Sequence, residues 1–318
     1  LTERGPGAKT WAVSDFYTFE QLRNWQETAP SLAPPARFAV IGDPVGHSKS
    51  PQMHNPALKA CGVDAQYIRV QVPAGRVREA FELFARHGFG GVNITIPHKQ
   101  EAMAAVDEVD TLARQLGAVN TLVIRNGSFH GHNTDGPGFI RSVREAFGAD
   151  VRDLSVLVLG AAGGAGRAVV MQCLLSGCWK LLIANRSQDR LLELEKEMNA
   201  LRQGRVPRRR IIRKNWDPAS LALAVREADL IVNATSLGMK DGDPALLPGM
   251  CLSPWHLVYD MVYRAGGDTP LIADAKAAGA RHADGMSLLL HQGAIAFEHW
   301  FPGVTAPLEV MRAGLAAA

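Results

Sequence analysis

The chain has 318 residues, 47% hydrophobic and 20% charged, with 34 basic against 31 acidic residues and a net charge of +3. That profile fits an ordinary globular protein of two domains or one large α/β unit, whose core needs no disulfide or metal. It excludes the strongly basic surface of a nucleic-acid binder, and no apolar run reaches the roughly eighteen residues of a membrane-spanning helix.

The opening residues lack the apolar stretch of a signal peptide, so the cytoplasm is the expected compartment. Residues 1–36 read as an N-terminal extension that caps the next domain, mediates assembly or docks loosely. Within it, Phe19, Leu22 and Trp25 recur at helical spacing and predict a helix over 18–27, broken by Ala29-Pro30 and Pro34-Pro35. Strands are then expected at 37–41, 66–72 and 91–95, alternating with helices at 53–61 and 74–87. Short helices at 99–105 and 111–115 lead to a strand at 119–124, which pairs with 128–130 across the Asn126-Gly127 turn. Strand-helix alternation means a mostly parallel sheet, with this hairpin as its antiparallel edge.

A connecting helix at 136–147 opens a second set of elements. Strands are expected at 155–159, 180–184, 210–213, 230–233, 257–260 and 281–283, with helices at 166–175, 187–201, 220–226 and 269–278 between them. The basic stretch 205–214 reads as a solvated loop and strand edge. Two C-terminal helices, 286–300 and 306–317, carry enough apolar surface to pack back on the first domain. The fold class is therefore α/β in two domains with a cleft between them. The first is substrate-binding (37–135 plus about 290–318), and the second is a Rossmann-type nucleotide domain (136–289). The four cysteines are scattered without metal-ligand spacing, so reduced thiols and no metal are expected.

Three features carry chemistry. In Asn93-Ile94-Thr95-Ile96-Pro97-His98-Lys99, Asn93 and Thr95 share one face of a strand that Pro97 ends, and Lys99 follows at its mouth. The run Gly160-Ala161-Ala162-Gly163-Gly164-Ala165-Gly166 follows a strand and opens a helix, as a dinucleotide fingerprint requires. At the end of the next strand stand Asn185, Arg186 and Ser187, with Arg190 beyond, where an NAD site usually has a carboxylate. Two guanidinium groups and a hydroxyl suit a 2′-phosphate, which favours NADP. Gly46-His47-Ser48-Lys49-Ser50-Pro51, Gly117-Ala118-Val119-Asn120-Thr121, Asn133-Thr134-Asp135-Gly136 and 285–292 add hydroxyls, carboxamides and a carboxylate at loop positions. Taken singly, Ser48 and Ser50 read as helix caps, Asn120 as a turn anchor and Asp135 as an N-cap.

Together with Asn233-Ala234-Thr235-Ser236-Leu237-Gly238 and Tyr259-Asp260-Met261-Val262-Tyr263, these runs resemble the shikimate dehydrogenase family from Phe38 to about Trp300. The resemblance implies reversible, NADPH-dependent reduction of 3-dehydroshikimate to shikimate. It implies Lys99 and Asp135 as the catalytic pair. Ser48, Ser50 and Tyr263 would hold the substrate carboxylate, and Asn93, Thr95, Asn120 and Gln292 the ring hydroxyls. Thr235, Met261 and Gly285 would join the glycine loop around the cofactor. Against the family pattern, Ala161-Ala162 carries one extra residue, Ala265-Gly266-Gly267 alters the loop after Tyr263, and residues 1–36 lie outside. The partners expected are the small substrate alone, with the chain a monomer or homodimer. Rival readings are an NAD-preferring quinate/shikimate dehydrogenase, an enzyme acting on a modified shikimate, or a catalytically idle NADP-binding regulator.

Overall fold

The computed structural model describes residues 15–29, 32–202, 210–247, 252–264 and 267–317. The first half supplies β1 (Phe16–Thr18), α1 (Phe19–Arg23), α2 (Trp25–Thr28), β2 (Ala36–Gly42), α3 (Ser50–Ala60), β3 (Gln66–Gln71) and α4 (Val77–Arg86). It continues with β4 (Gly91–Ile94), α5 (Lys99–Ala105), β5 (Glu108–Val109), α6 (Thr111–Leu116), β6 (Thr121–Arg125), β7 (Ser128–His132) and α7 (Asp135–Phe147). The described strands form one sheet in the order β1-β3-β2-β4-β6-β7-β5. Helix α4 shows how these elements arise: Val77, Ala80, Phe81, Leu83 and Phe84 make one buried stripe at helical spacing.

Two expectations about this sheet change. The β6–β7 hairpin is not the edge, because the two-residue β5 pairs in parallel outside β7. Residues 16–28 are no loose extension: β1 adds in parallel to β3, and Phe19, Leu22 and Trp25 are buried in the first core. The helix expected over 18–27 is two short helices, α1 capped by Thr18 through a reciprocal capping box with Gln21.

The second half supplies β8 (Ser155–Leu159), α8 (Gly164–Ser176), β9 (Lys180–Ala184), α9 (Gln188–Arg202), β10 (Arg210–Lys214), α10 (Pro218–Arg226) and β11 (Leu230–Asn233). Next come β12 (Leu257–Asp260), α11 (Pro270–Ala277), β13 (Arg281–Ala283), α12 (Gly285–Trp300) and α13 (Leu308–Ala316). Its described strands run in the order β10-β9-β8-β11-β12-β13, all parallel. Strands β11 and β12 are buried at every position, as expected of a sheet covered on both faces. The chain order reverses between β8 and β11, the switch point where such sheets bind ligands. Arg210–Lys214 is the edge strand; Arg205 to Arg209, Cys251, Ala265 and Gly266 lie outside the described residues.

Helix α12 passes unbroken through the boundary expected at 289. Leu290, Ala294, Phe297 and Trp300 pack with Phe38, Val40, Met53, Met311 and Leu315, so the C-terminal helices do close on the first sheet. The Trp300 indole donates to the Leu122 carbonyl at 3.0 Å and fixes the end of the helix there.

Candidate active site

A cavity of about 200 Å³ lies between the C-terminal ends of β2 and β4, the loop after β12 and the first turns of α12. Its walls bring together Ser48, Ser50, Asn93, Thr95, Lys99, Asn120, Asp135, Tyr263 and Gln292. All nine residues expected to bind substrate or move its proton therefore face one space. Met261 and Gly285 form its wall on the side of the second sheet. His47, Val40, Ile94, Leu288 and Leu289 complete it without having been singled out by the sequence.

Lys99 is the first residue of α5 and Asp135 the first of α7, and Lys99 Nζ donates to Asp135 Oδ2 at 2.6 Å. The two side chains are 28% and 18% exposed, so the pair is accessible yet partly withdrawn from water. Asp135 is not the helix cap. The N-cap position is Thr134, and Asn133 just before it supplies the side-chain contact, its Oδ1 accepting from the backbone N–H groups of Asp135 and Gly136. That frees the Asp135 carboxylate for the lysine. His98, just before Lys99, is buried and its Nε2 bonds to the Val72 carbonyl at 2.7 Å, pinning the loop that carries Lys99 to the end of β3.

The carboxamides that line the cavity also bond within the protein. Asn93 Oδ1 accepts from the Tyr67 hydroxyl at 2.8 Å, and its Nδ2 donates to Thr121 Oγ1 at 3.1 Å. Asn120 Oδ1 accepts from Thr134 N at 2.8 Å, and its Nδ2 donates to Thr134 Oγ1 at 3.0 Å. Both are almost fully buried. They line the cavity chiefly as braces, with Asn120 holding the residue before Asp135. Gln292, also in the lining, donates from Nε2 to the Leu289 carbonyl. Ser48 Oγ donates to Ser50 Oγ at 3.1 Å, and the Ser50 backbone N–H donates to Ser48 Oγ, so the serine pair combines a capping contact with the cavity wall. Burial raises the Tyr263 phenol above its usual value, so its hydroxyl stays a neutral donor through the physiological range.

Tyr67 and Arg69 were missed by motif reading. Arg69 Nε donates to the Ser48 carbonyl at 2.7 Å and its guanidinium pairs with Asp15, so it supports the serine loop from beneath. Tyr67 stacks on His54, whose buried imidazole is held neutral by desolvation, with its pKa lowered to about 3. The signal was present: Tyr67 and Arg69 are two residues apart in a strand and so share one face.

Of the residues expected at the cofactor, Met261 and Gly285 line this cavity, while the glycine loop, Asn185, Arg186, Ser187, Arg190 and Thr235 lie outside it, after the C-terminal ends of β8, β9 and β11. Gly160 has φ +80°, and a Cβ on Gly166 would stand 2.2 Å from the Gly160 carbonyl oxygen, so the loop and helix can approach only as glycines. The extra alanine is absorbed without disturbing this turn. Ala161 is buried in the second core and its N–H donates to Ala184 O, while Ala162 N–H donates to Asn185 Oδ1. Gly163 is the N-cap of α8 with no side-chain cap, and the first turn carries no acidic residue. Gly164 has open space where a side chain would stand. These features fit a pyrophosphate at the helix start. Thr235 is turned inward, bonding through N and Oγ1 to Asn233 Oδ1, and its methyl packs against Gly160. Asn185 Nδ2 donates to the Ser187 carbonyl and Arg190 N to Ser187 Oγ, so the turn after β9 is self-supported. Replacing Gly166 by alanine should force the loop apart and weaken NADPH binding at least tenfold, read by titrating NADPH fluorescence; unchanged affinity would contradict the close-approach account.

A Rossmann-type sheet facing a second α/β domain, with a lysine–carboxylate pair in a polar cleft, defines the class of two-domain, dinucleotide-dependent oxidoreductases. The chain belongs to the shikimate dehydrogenase family. The family profiles described as the shikimate dehydrogenase substrate binding domain and the shikimate 5′-dehydrogenase C-terminal domain match residues 40–122 and 285–314. A shikimate dehydrogenase (NADP(+)) of Symbiobacterium thermophilum is 42% identical, covering 91% of this chain and 96% of that protein. The shikimate 5-dehydrogenase of Thermus thermophilus, solved with NADP(H) and shikimate, has a TM-score of 0.74 at 34% identity, covering 89% of this chain and 99% of the other. Quinate dehydrogenase from Corynebacterium glutamicum, solved with NAD, has a TM-score of 0.78 at 30% identity, covering 89% and 100%.

Proposed function

We infer that this chain catalyses the NADP-dependent, reversible reduction of 3-dehydroshikimate to shikimate. The observation that carries the reading is the Lys99–Asp135 pair at 2.6 Å inside one cavity with the serine pair, Thr95, Tyr263 and Gln292. When bound, NADPH supplies the hydride. Lys99 Nζ then bonds the substrate oxygen that gains negative charge and delivers its proton, and Asp135 orients the ammonium and the reacting hydroxyl. Ser48, Ser50 and the neutral Tyr263 hydroxyl hold the substrate carboxylate. Thr95 and Gln292 read ring hydroxyls, while Asn93 and Asn120 keep the walls in register. A ring lacking one hydroxyl leaves a cavity group unpaired, which is the source of selectivity.

Gly160, Gly163, Gly164, Ala165 and Gly166 would hold the pyrophosphate, and Asn185, Arg186, Ser187 and Arg190 the 2′-phosphate. Met261 and Gly285 would lie beside the reactive ring. On this reading residues 136–289 form the cofactor domain and the rest, apart from the undescribed N-terminal residues, the substrate domain. One chain contains the whole set, so a monomer suffices, with a homodimer as the alternative. The unpaired thiols of Cys61 and Cys173 fit a cytoplasmic setting, and no helix among the described residues is long and apolar enough to cross a membrane.

The test is a steady-state matrix of shikimate and quinate against NADP and NAD. The expected result is the highest kcat/KM with shikimate and NADP. Quinate with NAD as the best pair would replace this reading, and no oxidation of either substrate would leave only a nucleotide-binding protein.

A further inference from the structure

Arg186 follows β9 by two residues and Trp216 follows β10 by two residues. The strands are adjacent and parallel, with Ala184 opposite Lys214. Equal offsets therefore bring the two side chains to the same level of the sheet edge. The Arg186 guanidinium carbon lies 5.8 Å from the centre of the Trp216 ring. Nearby arginines are taken up by carboxylates: Arg213 pairs with Glu195 and Arg167 with Glu197. Among the described residues no carboxylate pairs with Arg186, whose guanidinium lies over the indole instead.

We propose that Trp216 is a positioning residue for cofactor choice, a platform that holds the Arg186 guanidinium at the end of β9 and so sets the preference for NADP over NAD. This rests on the reading of Arg186 as a 2′-phosphate ligand. A guanidinium can rest its face on an aromatic ring while its edge N–H groups remain for a phosphate. Indole is the best such face, and the attraction needs no counter-charge that would compete with the ligand. Holding a long side chain in advance also reduces the freedom lost when the anion binds. An exposed contact of this kind, with that ordering, corresponds to roughly fivefold in affinity.

The experiment is isothermal titration of the full chain with NADP, NAD and adenosine 2′,5′-bisphosphate, for Trp216→Leu, Trp216→Phe, Arg186→Ala and the Trp216→Leu/Arg186→Ala double variant. Leucine keeps apolar bulk without a π face, and phenylalanine keeps a face. Trp216→Leu is expected to weaken NADP and the bisphosphate roughly fivefold and leave NAD unchanged. Trp216→Phe should recover most of that loss. Arg186→Ala should lose more, and the double variant no more than Arg186→Ala alone. Equal losses for NADP and NAD, tighter NADP binding, or additive losses in the double variant would overturn the platform while leaving Arg186 as a ligand. An unchanged NADP-to-NAD ratio in Arg186→Ala would instead overturn the underlying reading, and the proposal with it.

Discussion

Replacing Lys99 by alanine is expected to lower kcat for shikimate oxidation about a thousandfold, with NADP affinity held within roughly twofold. Proton transfer by a positioned side chain contributes typically 10²–10⁴, and one preorganised donor at a developing oxyanion about 10²–10³. On the proposed reading Lys99 fills both roles, held by a 2.6 Å contact to Asp135. The residues expected at the pyrophosphate and 2′-phosphate lie on other strand ends, outside the cavity, so cofactor binding should survive. Arginine is not expected to rescue the variant. It keeps the charge, but its planar fork cannot occupy the place of a compact ammonium and it does not give up its proton. Steady-state kinetics alongside fluorescence titration of NADPH separates the two effects. A kcat within tenfold of the parent would remove Lys99 from the reacting atoms.

Much of the fold was legible because the second sheet is parallel and covered on both faces. Its four inner strands, β8, β9, β11 and β12, are mostly apolar runs that end at or just before Gly, Asn or Asp, and β8, β9, β11, β12 and β13 fall at the expected bounds. Strand β5 was not legible. Two residues hold strand form through pairing with β7, which no local pattern records. The hairpin was misplaced for the same reason: strand order is a long-range property. In the site, residue types at motif spacing identified the cavity's polar set. They did not reveal that the Asn93 and Asn120 carboxamides are already engaged. Their partners Tyr67 and Thr134 stand 26 and 14 residues away in sequence. Asp135, which read singly as an N-cap, is instead the first residue of α7, and the side-chain contact to the helix start comes from the Asn133 carboxamide, a choice that residue type alone left open.

The N-terminal segment, outside the recognised motif pattern, yields the second large effect. Trp25 packs edge-on against Tyr17 at 5.0 Å and Phe89 at 5.8 Å between centroids, and is 8% exposed. Truncation of a buried aromatic to alanine costs about 3–5 kcal/mol, because the lost transfer energy is joined by a cavity the site cannot fully collapse. Trp25→Ala is therefore expected to lower the urea midpoint of the transition that reports the first sheet. The consequence should reach the cleft. Loosening β1 exposes the edge of β3 and releases Asp15 from Arg69, the residue whose Nε holds the Ser48 carbonyl. The serine pair then loses its support from beneath, so KM for shikimate should rise several-fold while KM for NADP stays near its parent value. An unshifted denaturation midpoint would mean that residues 16–28 are the loosely docked extension that their sequence alone allows. A shifted midpoint with both KM values unchanged would keep the segment in the core but break its link, through Arg69, to the substrate.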